Sequence, residues 1–98
     1  MFQKSDDLLL YEIFKGRCPK CRRVAVTIHE LAPRSRGAGS MLFTNRTPIC
    51  AECHDTFHRN GASPSQIEMW HGIIKIYLIN IGTSEQYYAR APVEQVFT

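Results

Sequence analysis

The chain has 98 residues, 44% of them hydrophobic and 21% charged, with four cysteines and a formal charge of +3. That length is one domain's worth and excludes separate substrate, cofactor and regulatory domains, so any activity must come from one compact site. A domain this small buries a smaller share of its surface than a large one, and its stability is often supplemented by disulfides or a metal.

The opening stretch contains a short apolar run, but Asp6, Asp7 and Glu12 flank or interrupt it and no small-residue cleavage site follows, so it does not read as a secretory signal. No other stretch approaches the roughly 18 consecutive apolar residues of a membrane helix. The chain is therefore expected to be soluble and cytoplasmic, where thiols stay reduced and paired cysteines more often mean metal than disulfide. Its positive charge is uneven: residues 15–59 hold nine of the twelve Lys and Arg and three of the nine acids, a net +6 against −3 elsewhere. A basic segment is often only a solvated face. Its coincidence with the cysteines and three of the four histidines favours a polyanionic partner.

In chain order, Ser5, Asp6 and Asp7 supply cap and first-turn acids ahead of an apolar run that stops at Gly16, which reads as a short helix, with a buried strand as the alternative. Val24 to Ile28 is β-branched and strand-like and leads into His29. Residues 33–40, rich in Gly, Ser and Pro, read as a loop. Cys50 to Arg59 has no breaker and is followed by Asn60-Gly61, suggesting a short helix and a turn. Ser63-Pro64-Ser65-Gln66 has the form of a capping box and opens the clearest helix, about residues 64–81, whose apolar face carries Ile67, Trp70, Ile73, Ile74, Tyr77, Leu78 and Ile81. Glu68, His71 and Lys75 take the other face, and Gly82 ends it. Residues 83–98 show no clean period and read as either a packed extension or a loose tail.

Cys18-x-x-Cys21 and Cys50-x-x-Cys53 are two knuckles, each able to present two thiolates to one side of a tight turn, which gives the sulfur tetrahedron that zinc prefers. Buried free cysteines or a redox pair are the alternatives. The 28 residues between the knuckles exceed the usual zinc-ribbon spacing of about 15 to 20, so something else must be folded between them. His54 and His58, four apart on the proposed short helix, share a face that could hold a cation, with Cys53 about 100° round the same helix. One helix can thus serve two metals.

Taken in order, the first knuckle, a strand ending in Ile28-His29-Glu30-Leu31-Ala32-Pro33-Arg34-Ser35-Arg36-Gly37, then Asn45, then Ile49-Cys50-x-x-Cys53-His54-x-x-x-His58 closely resembles the HNH motif of ββα-metal nucleases. The resemblance covers residues 18–58. It implies a β-hairpin and a helix clasping one divalent ion, with a structural zinc on Cys18, Cys21, Cys50 and Cys53 pinning hairpin to helix from behind. His29, His54 and His58 match the family's ligands for the catalytic ion, magnesium or manganese, with nickel or zinc as other candidates. Asn45 matches an asparagine that braces the loop and helps orient the general base. In that family the ion contacts the scissile phosphate while a base activates water for in-line attack, leaving a 5′ phosphate. Many small members occur in phages and mobile elements.

Many such proteins carry a base histidine directly after the first metal ligand, where this chain has Glu30. A carboxylate with a reference pKa of about 4.3 is ionised at pH 7 and accepts protons, but more weakly than imidazole. Three roles stay open for it: the base itself, a metal ligand with His29 as base, or a change that leaves the module inactive. Neighbouring strand residues face opposite ways, so both reach one site only if the strand ends or bulges there. Arg34, Arg36, Arg46 and Arg59 are candidates for DNA phosphate contacts as against simple solvation. Trp70 and Tyr77 read as core and His71 as solvent-facing.

The expectation is one α+β HNH-like domain spanning residues 1–98, its core motif at 18–60 between an N-terminal helix and a longer C-terminal helix. The expected function is a metal-dependent DNA endonuclease or nickase. The alternative is an HNH-like zinc module that binds DNA or a partner protein without cutting. A protein partner or homodimer is left open.

Overall fold

The computed structural model describes residues 2–32 and 43–89, with side chains from Asp7 onward. The loop expected at 33–40, with Arg34 and Arg36, and the last nine residues lie outside them. The architecture is a small α+β one. Helix α1 spans Phe2–Ile13, strand β1 Thr27–Glu30, strand β2 Arg46–Ile49, helix α2 Ala51–Asn60 and helix α3 Pro64–Ile81. A 3₁₀ turn, Phe43–Asn45, leads into β2, and residues 84–89 form a fourth helical stretch.

The helix expected behind a Ser5 cap begins earlier, at Phe2, and has no acid in its first turn. Asp7 lies inside it and is used as an ion-pair partner, described below. Leu10, Ile13 and Phe14 form the buried side of this segment. Gly16, at φ 68°, ends it in the left-handed region that favours glycine, and a Cβ there would stand 3.1 Å from the Tyr11 ring, which would have to shift by a few tenths of an ångström.

Strands β1 and β2 pair antiparallel with Thr27 opposite Ile49, Ile28 opposite Pro48, His29 opposite Thr47 and Glu30 opposite Arg46. The strand expected from Val24 is thus displaced toward the histidine. Val24 is spent on a bridge to Arg17 that closes the first knuckle, and it and Val26 are exposed. β-Branched composition marked an extended segment, but cross-strand partners decided which residues became strand. Pro48 fits within β2 because a two-stranded sheet leaves one side of each strand unpaired.

Helix α2 is capped by Cys50, whose Sγ accepts from the Cys53 N–H at 3.3 Å. Helix α3 is capped by Ser63, which accepts from the Gln66 N–H at 3.2 Å, and it ends on Gly82 in the left-handed region. The reciprocal half of the capping box does not form: the Gln66 side chain instead donates to the Gly61 carbonyl, tying the two helices together. Trp70, Ile74, Tyr77 and Leu78 are buried, as the helical period requires, while Met69, Ile76 and Ile79 are exposed. The start of the expected tail is a packed extension. Tyr87 is buried, with its ring 5.9 Å from that of Phe14 and 5.4 Å from that of Phe43. Among the described residues no helix is long and apolar enough to cross a membrane.

Candidate metal centres

The four cysteines converge. Cys18 and Cys21 come from the turn between α1 and β1, closed by Cys18 N–H to Arg23 C=O at 2.8 Å and Arg22 N–H to Cys18 C=O at 2.8 Å. Cys50 and Cys53 come from the cap and first turn of α2. Their sulfurs all lie within 4.8 Å of one another, and Cys18, Cys50 and Cys53 are buried. A tetrahedral zinc with bonds of about 2.3 Å spaces its sulfurs by about 3.8 Å, so this set fits. The cluster could hold a metal such as zinc.

The thiols differ in acidity. Burial, with the Cys50 thiol beside it, raises the Cys53 pKa far above its usual range, and burial also raises Cys21. Burial acts on Cys50 in the same sense but is outweighed by hydrogen bonds from Cys21, whose sulfur is 3.0 Å away, and from the Cys53 backbone, so its pKa falls to about 7. Several buried thiolates are not stable together without a cation, whereas a metal ion makes the fully ionised set favourable.

From another face of α2, His54 and His58 meet His29 from β1, with their ligand nitrogens also within 4.8 Å of one another. The Nε2 atoms of His54 and His58 are 3.1 Å apart. His29 is buried and its Nε2 has no hydrogen-bond partner among the described residues. Burial lowers its pKa to about 4, assisted by His54 and His58, so it is neutral at pH 7, the form in which imidazole ligates. The edge of the Phe57 ring holds it in place at a centroid distance of 4.4 Å. Phe57 was not singled out in the sequence. Its signal is its place four residues after Cys53, on the inward face of α2. An orphaned buried nitrogen among three convergent imidazoles fits a divalent ion by donor chemistry.

Two of the histidines, His29 and His58, border a cleft of about 560 Å³ that Glu30 and Arg46 line with them. Strand β1 ends at Glu30, which lets this residue and His29 reach the same cleft despite being neighbours. Glu30 is not part of the three-histidine set. Asn45 stands behind them. Its Oδ1 accepts from the Ala32 N–H at 2.8 Å, its Nδ2 donates to the Ala32 carbonyl at 3.1 Å, and its own carbonyl accepts from the Leu31 N–H at 2.7 Å. The chain just past His29 and Glu30 is therefore clamped at three points.

The arginines divide. Arg46, a candidate for phosphate contact as against simple solvation, is buried and ion-paired with Asp7 of α1, so it is not simply solvated. Its Nε and Nη1 are buried and have no hydrogen-bond partner among the described residues. Arg59 is exposed and pairs with Asp55 one turn away at 2.9 Å, which is ordinary solvated helix surface. Arg34 and Arg36 lie outside the described residues. Trp70 and Tyr77 are core and His71 is exposed. Comparisons of the chain with protein-family models, with curated proteins and with solved structures find no match.

Proposed function

We propose that this protein is a metal-dependent endonuclease or nickase of the HNH kind, hydrolysing DNA phosphodiester bonds. The observation that carries the reading is the cluster of His29, His54 and His58, with an orphaned buried Nε2, opening on a cleft that Glu30 also lines. Resemblance to the HNH motif supplies the reaction class. A divalent ion held by the three imidazoles would supply Lewis acidity to a phosphate oxygen and to the leaving 3′ oxygen. An all-imidazole donor set suits zinc or nickel best and magnesium, which prefers oxygen ligands, least.

Glu30 is the proposed base. It accepts a proton from a water whose oxygen bonds to phosphorus, the P–O3′ bond breaks, the 3′ oxygen takes up a proton, and a 5′ phosphate is left. Its position outside the histidine set favours this role over that of a ligand. Asn45 acts as a positioning residue through Ala32.

The second reading, a zinc module that binds DNA or a protein partner without cutting, is favoured by Glu30 itself, since a carboxylate in the cleft opposes an arriving phosphate. A plasmid assay decides. Protein carrying only its cysteine-bound zinc is given magnesium, manganese, nickel or further zinc separately. Relaxed or linear product with at least one ion supports the nuclease, and intact supercoiled plasmid with all four supports the binding module.

A further inference from the structure

The first knuckle carries four cations within residues 17–23: Arg17, Lys20, Arg22 and Arg23. Two of them are engaged. Arg23 pairs with Glu52, and the Lys20 ammonium lies 5.9 Å from the centre of the Trp70 ring. Elsewhere Arg46 and Arg59 pair with Asp7 and Asp55. Arg17 and Arg22 have no carboxylate partner among the described residues. They line one cleft of about 540 Å³ with Tyr77, Asn80 and Ile81, and among the described residues no acid lines it with them.

Arg22 also holds a left-handed backbone, φ 65°, where glycine is favoured and a long side chain is strained. A glycine would make this knuckle turn at lower cost. The position instead carries a guanidinium, and residues held against their backbone preference cluster at functional sites. Arg17 reaches over the turn, its Nη1 3.5 Å from the Arg22 carbonyl. Burial raises the Tyr77 pKa while Arg22 and Arg17 oppose the rise, so both charges act on the same phenol. The negative end of the α3 dipole draws cations to this place, which accounts for their location but not for the strain.

We infer that Arg17 and Arg22 form a phosphodiester-binding subsite, separate from the histidine cleft, that holds the backbone of a nucleic-acid strand. The inference rests on the nucleic-acid reading above. Guanidinium forks match phosphate oxygens in pairs, and two of them free of acids in one cleft form a receptor for that group. The histidine cleft borders Gly61 and Ala62, just before α3, while this one borders Asn80 and Ile81 at its other end. An 18-residue helix is about 27 Å long. At roughly 3.4 Å per nucleotide, that separation corresponds to about eight nucleotides of one strand. The contact positions the strand without reading its sequence.

The test is fluorescence anisotropy of the full chain, zinc-loaded and with no other divalent ion, on a duplex several times longer than that span of about eight nucleotides. Arg17→Ala with Arg22→Ala should weaken binding about tenfold or more near 0.1 M salt and lower the log K against log salt slope by about 1 to 2. Arg22→Lys should keep the slope. Arg22→Gly should lose part of the affinity with an equal or higher Tm, because it relieves the backbone. Unchanged affinity and slope in the double variant, with the wild type binding well, overturn the subsite and leave the nucleic-acid reading standing. Zinc loss without change in affinity overturns it in favour of cations that merely offset thiolate charge. A wild type that binds no duplex removes both.

Discussion

Helix α2 serves two clusters whose surroundings are opposite. Around the cysteines the site is closed: three of the four are buried, and the four sulfurs lie within 4.8 Å of one another, close enough to share one metal ion. Around the histidines it is graded, from buried His29 through half-buried His54 to exposed His58, and it opens onto a cleft. Closed four-ligand sites are structural, whereas three protein ligands beside open space leave a coordination position for chemistry. The contrast arises from one turn of helix. Cys53 and Phe57 point inward, and His54 and His58, rotated about 100°, point to the rim.

The largest expected effect breaks the closed site. Cys53→Ala should abolish zinc retention and cooperative unfolding together, because binding free energy at a structural zinc is folding free energy. Metal content and a thermal melt check this, and a variant that still melts cooperatively near the wild-type Tm would make the cysteines dispensable. His54→Ala is the complement. It should bring cleavage to background while moving stability by no more than about 1 kcal/mol, the scale of a substitution away from the core. If that variant also loses its fold, the two sites are both structural and the contrast fails.

Glu30→Ala sharpens the open site. Loss of a general base costs on the order of 10²- to 10⁴-fold in rate, with DNA affinity equal or better once an anion has gone. Glu30→His should keep or raise activity. Undiminished cleavage in Glu30→Ala would transfer the base role to His29, and cleavage gained only in Glu30→His would mark the natural protein as a binding module.

The open site also has a pH signature in protein lacking an ion at the histidines. His29 has its folded pKa lowered from 6.5 to about 4, so the unfolded chain binds the extra proton first as pH falls. Its contribution is therefore complete above about pH 6.5, declines through the window down to about pH 4 and is level below it, at most about 3 kcal/mol. Urea titrations at stepped pH measure this, and His29→Gln should flatten that part of the profile. The smallest effect belongs to the brace. Asn45→Ala leaves the Ala32 N–H and C=O unpaired where they are partly shielded from water, costing about 2 kcal/mol in urea unfolding. A loss below a few tenths of a kcal/mol would remove Asn45 from the scaffold.

Local chemistry wrote much of this into the sequence. The knuckles, the i, i+4 histidines, the Ser63 cap, the Gly82 stop and the apolar face of α3 depend on neighbours within a few residues, so spacing alone located them. Other features depend on partners far along the chain. Composition could not place β1, because its start is set by the Arg17–Val24 bridge and by pairing with β2. Nor could it show that Asp7 would claim Arg46 and take that guanidinium from the surface, since the partners are 39 positions apart. Tyr87 lay in a segment with no period and became core only because Phe14 and Phe43 were there to cover it. The sequence by itself determined which residues could ligate and on which helix face they stand. Tertiary structure decided which ligands meet, which cations remain unpaired and which site stays open, because burial and charge pairing are properties of the packed chain.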